Sequence, residues 1–242
     1  MEEEVAYRAM LAVDIERSAG RGNVAFHQIR EVLTAVLRES FEDSGIEWKA
    51  CLLGDLGDGL RVIAPYGIRK TRLIHPLIHE LTVRLRAHNR TAGPATRIRV
   101  RVALHAGDVF LGPAGEATGR PLEVLARLLD AAPARIALAD APESLTASLV
   151  VSEHFHEETV RHGYPGIDPE SFHKVTLTEK EYTADAWLHL PGSATDPRHG
   201  AAATPTPMAA SPESRMVNKA SGNGVIYATG TGTQNIHLTG RS

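Results

Sequence analysis

The sequence predicts an α/β chain of the α+β type, built on a ferredoxin-like βαββαβ core. Three observations carry that expectation: an apolar run ending on Asp14, a Gly-Asp-Gly turn centred on Asp58, and two amphipathic helical stretches alternating with these and with a later arginine-studded strand. The first run, VAYRAMLAVD, reads as a strand and leads into a loop of small and flexible residues, RSAGRGN. VAFHQIREVLTAVLRESF then places apolar residues at 25, 29, 32, 33, 36, 37 and 41, the spacing of a helix that buries one face. KACLLGDLGDGLRVIAP is punctuated by glycines as strand, tight turn and strand, with Asp58 at the hairpin tip. PLIHELTVRLRAHN predicts a second helix, with Pro76 tolerable in its first turn. TRIRVRVALHAGDVF alternates, with Arg97, Arg99 and Arg101 on one side and Ile98, Val100 and Val102 on the other. A helix at PLEVLARLLDAA and strands at SLVVS, SFHKVTL and ADAWLHL extend the core.

Composition bounds the rest. At 242 residues and 43% apolar content there is chain for one full core plus a tail. The lone Cys51 rules out an intramolecular disulfide framework, and the acidic start MEEE does not read as a signal peptide. No apolar run approaches membrane-spanning length, so a soluble, cytoplasmic protein without a membrane partner is expected. A net charge of −3 gives no reason to expect nucleic acid as a partner. Residues 69 to 101 nevertheless hold nine Lys or Arg against the single acid Glu80, which is either a solvated basic face or an aid to drawing in a polyanion. The histidines carry no metal signal. His75 and His79 have helical spacing without the accompanying Glu of a zinc helix, and His154 and His156 sit in a polar segment with no third ligand.

Asp14 and Asp58 are the candidate chemistry. Each carboxylate sits where an apolar strand meets a flexible loop, and Mg²⁺ is commonly held by one or two carboxylates plus the phosphates of a substrate. Two such acids on neighbouring strands suit a nucleoside triphosphate with Mg²⁺ or Mn²⁺. Taken singly, each acid reads equally well as an ordinary turn residue.

In order and spacing, residues 5 to 191 resemble the catalytic domain of the class III adenylate and guanylate cyclases. Asp14 in VDIE matches the metal acid of the first strand, and Asp58 in GDG matches the second. RVALHAGDV is similar to the family's R-I-G-x-H-x-G strand. GEATGRPLEVLARLLDA is similar to the segment with a Gly, an Asn and an Arg at four-residue steps; Gly119 and Arg127 match, and Glu123 stands at the Asn position. TEKEYTADAWLHL resembles the closing segment whose Lys, here Lys180, binds the triphosphate. The resemblance implies two metal ions at Asp14, Ile15 and Asp58, a homodimer with composite active sites, and catalytic roles at Arg127 and position 123. It further implies substrate contacts at Lys180, Gly54 and Glu116, with Ser18 and Gly20 in the loop that offers backbone amides to the β- and γ-phosphates.

Two departures shape the functional expectation. Adenylate cyclases of the family read adenine with a Lys where Gly54 stands and an acid where Glu116 stands, so ATP does not follow, and guanine or a pyrimidine is open. The change of Asn to Glu123 removes a group that orients the ribose and sets a carboxylate near phosphate oxygens. Two readings stand: an NTP cyclase forming a 3′,5′-cyclic nucleotide and pyrophosphate, or a catalytically degenerate nucleotide-binding adaptor.

The domain is expected over 1–191, followed by a Pro, Ala, Ser and Thr linker over 192–215 and a distinct segment over 216–242. That segment, NKASGNGVIYATGTGTQNIHLTG, is β-prone, rich in Gly and Thr and nearly uncharged, a composition that stacks as cross-β. It resembles the short bacterial amyloid signalling motifs akin to the RIP homotypic interaction motif, which implies partner proteins carrying a similar motif and a setting in bacterial immunity or regulated cell death. A floppy Gly-rich tail or a docked edge strand fits the same composition.

Overall fold

The computed structural model describes residues 4–112, 115–179 and 182–192. Lys180 and residues 193–242, which hold the expected linker and tail segment, lie outside the described residues. The first six elements are β1 (Glu4–Ile15), α1 (Asn23–Asp43), β2 (Leu52–Asp55), β3 (Gly59–Ile63), α2 (Leu77–Thr91) and β4 (Val100–Leu111). They follow the expected βαββαβ order. The sheet runs β2-β3-β1-β4 across this core, with every neighbouring pair antiparallel, and continues through β6 (Ala147–Ser152) and β8 (Tyr182–His189) to β7 (His173–Glu179). A two-residue strand, β5 (Ala117–Thr118), pairs with the end of β4. Together the described residues form an eight-stranded mixed sheet with helices, the α+β fold that the sequence predicts.

β1 reads as a continuous apolar run because both of its faces are covered. Ala9, Leu11, Val13 and Ile15 face a core shared with α1 and α2, while Met10 and Ala12 face a second core closed by α3 (Arg120–Leu129). On α1 the expected stripe is the buried one: Ile29, Leu33, Leu37 and Phe41 are all at most 1% exposed. Phe41 meets Trp48 edge-on at 5.3 Å between ring centroids. Phe41→Ala should therefore cost about 3–5 kcal/mol of stability through lost burial and a residual cavity, read from chemical denaturation. A cost under ~1 kcal/mol would show that this core is not packed as described.

Three local readings differ. β4 begins at Val100, not at Arg97, because Ile98 finds its partners in the Asn89 side chain, which bonds both its N–H and its carbonyl at 2.8 Å. The helix at PLEVLARLLDAA ends at Leu129, and a separate α4 (Ala132–Asp140) follows, with the extended Ala131 and then Pro133 resetting the chain. SEHFHEE, expected as a polar segment, starts α5 (Glu153–Glu158), capped by the Ser152 hydroxyl accepting from the Phe155 N–H. His156 is buried there, its ring stacked on Trp187 at 3.7 Å. Among the described residues no helix is long and apolar enough to cross a membrane.

Candidate functional site

Asp14 and Asp58 meet because β1 and β3 approach closely at one residue pair. Asp14 lies opposite Gly59, and a Cβ on Gly59 would stand 1.9 Å from the Val13 carbonyl oxygen. Only glycine admits that contact, and the contact brings the hairpin tip against the end of β1. The Ile15 N–H bonds the Asp58 carbonyl at 3.2 Å, and the Ser18 hydroxyl donates to the Asp58 carboxylate at 2.7 Å. The strand end, the loop after it and the hairpin tip are thereby tied into one unit. Both carboxylates line a single cleft of about 220 Å³, with Arg61 and Asp130 as its other charged walls and Leu122 and Leu125 of α3 closing it.

Asp14 is 5% exposed and opposes Arg101 on β4, whose guanidinium grips it with both arms, Nε to Oδ1 at 2.8 Å and Nη2 to Oδ2. Burial raises the Asp14 pKa above its ordinary value against the pull of Arg101, and Asp58 and Asp130 add to the rise. The cleft thus gathers three carboxylates against two guanidinium groups. Among the described residues no three His, Cys, Asp or Glu side chains are arranged to hold an ion. A cation here would rest on the two carboxylates and on oxygens of its ligand, an all-oxygen set that fits Mg²⁺ or Mn²⁺.

Arg61 fills the space that Gly54 leaves. The two residues are paired across the hairpin, and a Cβ on Gly54 would lie 3.0 Å from Arg61 Nη2 and 3.1 Å from Nε. The planar guanidinium lies over the glycine and puts donors into the cleft.

The remaining expected residues fall in other places. Ser18 contacts Asp58, whereas Gly20 is in the same loop, exposed and in the left-handed conformation. Glu123 and Arg127 occupy an exposed flank of α3, one helical turn apart, and neither lines the cleft. Glu116 is exposed in the turn beyond β4. Its neighbour Leu111 pairs with Glu4, ten residues along β1 from Asp14, or roughly 33 Å at the rise of a strand. Lys180 lies outside the described residues. One chain therefore brings together Asp14, Ile15, Ser18, Gly54 and Asp58, and does not bring Glu116, Glu123 or Arg127 to them.

The sequence alone does not mark Arg61, Arg101 and Asp130 as site residues. The hairpin register sets Arg61 opposite Gly54, and strand alternation puts Arg101 on the face of Asp14, which it opposes.

The architecture is that of the nucleotide cyclase catalytic domains. Crystal structures similar to it include an adenylate/guanylate cyclase/hydrolase from Silicibacter pomeroyi, at TM-score 0.56 and 18% identity over 78% of this chain and 99% of that one. The guanylyl cyclase Cya2 matches at TM-score 0.54 and 13% identity, over 78% and 92% of the two chains. The catalytic core of a rhodopsin-guanylyl cyclase with converted specificity, in complex with ATPαS, matches at TM-score 0.50 and 12% identity over 77% and 97%. No protein-family model matches the chain, and no curated protein matches it by sequence.

Proposed function

We propose that this protein is a nucleotide cyclase, converting a nucleoside triphosphate to a 3′,5′-cyclic nucleotide and pyrophosphate. The observation that carries the proposal is the meeting of Asp14 and Asp58 in one cleft, enforced by Gly59, on a fold shared with cyclase catalytic domains. Asp14 and Asp58, with Ile15 beside them, would hold Mg²⁺ or Mn²⁺, which when bound supplies activation of the 3′-hydroxyl and neutralisation of phosphate charge. Ser18 and Gly20 lie in the loop that would receive the terminal phosphates, with Arg101 beside it as a guanidinium donor. Arg127, with the neighbouring Glu123, would serve the cleft of a second copy, where a fork of donors on the α-phosphate stabilises the charge that builds during in-line attack. Glu116 and Lys180 would contact substrate in the same composite arrangement. The direct test is incubation of purified protein with each NTP and Mn²⁺ or Mg²⁺, followed by mass spectrometry. A cyclic product confirms the reading, and its absence from all four sinks it.

Arg61 bears on the base. With phosphates at the Asp14 and Asp58 end, the nucleobase extends along the hairpin toward Arg61 and Gly54, where a planar donor pair suits carbonyl acceptors such as guanine O6 with N7, or a pyrimidine carbonyl. Arg61→Ala should cut kcat/KM for the preferred base by roughly 1–3 kcal/mol, or about 5- to 150-fold, while leaving other bases nearly unchanged. An equal loss for all four NTPs would remove Arg61 from base recognition.

Acid should weaken metal-dependent nucleotide binding. The raised pKa of Asp14 means that its carboxylate takes up a proton above the ordinary aspartate value of about 3.9, and the proton excludes a cation. The sign for folding is opposite. A folded-state pKa above the unfolded one makes Asp14 contribute stability as pH falls through it, so lost binding in that window reports protonation and not unfolding. Mn²⁺ affinity that is flat down to pH 4 would contradict this.

A second reading is a nucleotide-binding adaptor without turnover, favoured by the carboxylate of Glu123 on the helix that carries Arg127. NTP binding without any product identifies it. In either case the segment at 216–242 would recruit proteins carrying a similar amyloid-type motif, in a signalling or immune pathway.

A further inference from the structure

A second hollow shares no residue with the cleft of Asp14 and Asp58, although it borders the other side of the same loop after β1. It measures about 870 Å³ and is walled by six arginines against two glutamates. Arg17 and Arg21 come from the loop after β1, Arg86 and Arg90 stand one turn apart near the end of α2, and Arg97 and Arg99 lie on the segment entering β4. Glu143 pairs with Arg97 at 3.0 Å and Glu16 with Arg99 at 3.4 Å. Among the described residues no carboxylate forms an ion pair with the other four.

Their hydrogen bonds do not cancel their charge. Arg21 donates to the backbone carbonyls of Glu16, Arg17, Ala95 and Arg97, and Arg86 to that of Pro191. Carbonyls satisfy donors but leave each guanidinium a full cation. Burial lowers the Arg21 pKa, since the charged form is the one penalised, against an opposing pull from Glu16. The carbonyl end of α2 accounts for a cation at Arg90, but it does not account for the arginines of the loop after β1. Overall the chain carries a net charge of −3, so this concentration of cations is local.

We propose that this hollow is a second binding site, for a compact polyanion of the oligophosphate class. Four guanidinium groups without an ion-pair partner among the described residues converge from two chain segments, the loop after β1 and the end of α2. Arg17, Arg86 and Arg90 offer planar forks that bind phosphate oxygens bidentately, while Arg21, its donors held by carbonyls, adds positive charge. The volume lies within the range of small-molecule sites. A hollow of this size on a chain of net charge −3 suits a small ligand more than a nucleic-acid strand.

The test uses the full chain, in EDTA so that no divalent ion takes part, with inorganic tripolyphosphate as the probe in calorimetry. Saturable binding is expected for the wild type and for Asp14→Asn/Asp58→Asn, and a loss of at least tenfold for Arg86→Gln/Arg90→Gln with an unchanged thermal midpoint. Arg17→Gln, in an exposed loop, should weaken binding as well and guards against a folding defect in the double variant. GTP under the same conditions separates the sources: equal affinity assigns the site to the phosphate chain alone, and tighter binding assigns it to a nucleotide. No saturable binding by the wild type, full affinity in both arginine variants, or loss of binding in Asp14→Asn/Asp58→Asn overturns the proposal. These readouts need no turnover, so they stand or fall apart from cyclase activity.

Discussion

Asp58→Asn is expected to abolish cyclic-nucleotide formation, with a loss on the order of 10²–10³ or more in kcat, the scale for removing one preorganised electrostatic contact. The substitution keeps size and shape. Asn still accepts from the Ser18 hydroxyl, which lies 2.7 Å from the Asp58 carboxylate, and the backbone tie from Ile15 to residue 58 is untouched. What disappears is one of the three negative charges of the cleft, and with it half of the carboxylate pair that would face a cation. Metal-dependent NTP binding should weaken too, even if the chain turns nothing over. Undiminished Mn²⁺-dependent NTP binding by Asp14→Asn/Asp58→Asn would show that the nucleotide binds elsewhere.

Mixing two dead variants should restore activity. Arg127 lies on an exposed flank of α3 and does not line the cleft of its own chain, so in a twofold head-to-tail dimer it would complete the cleft of the partner. In an equal mixture of Asp58→Asn and Arg127→Ala chains that exchange freely, half of the dimers are mixed and each carries one intact site, giving about a quarter of wild-type activity. Neither variant alone should exceed background. If the wild type is active and mixing restores nothing, the composite site is wrong and Arg127 acts within its own chain or not at all.

Much of the fold is legible because its central elements are strongly patterned. α1 shows its buried face at helical spacing, and the apolar run of β1 breaks at an acid, Asp14, which is buried there only because Arg101 grips it. Asp14 and Asp58 are placed at strand ends by the apolar run and the glycine turn that flank them. What periodicity cannot give is who stands across from whom. That Arg101 grips Asp14 and that Arg61 covers Gly54 depend on register, which is fixed by the long pairing of β1 with β4 and by the close contact at Gly59. The basic run from 69 to 101 is a case where sequence adjacency misleads. Lys70 is matched by Glu158, Arg84 by Glu39, Asp43 and Glu80, and Arg101 by Asp14, while Arg86 and Arg90 join Arg17 and Arg21 from far upstream. Linear density of charge said nothing about which cations would be left over.

The grip of Arg101 on Asp14 also sets the terms on which any cation is admitted. The strand carries its own placeholder, so an arriving ion gains only the difference between its attraction for the carboxylate and that of a guanidinium already bound through two bonds. A monovalent ion would have little with which to win that contest, whereas a divalent one would have more. The displaced guanidinium would be left beside the newcomer with its donors open, ready for an anion. Metal and phosphate would then enter as a pair, each easing the cost of the other.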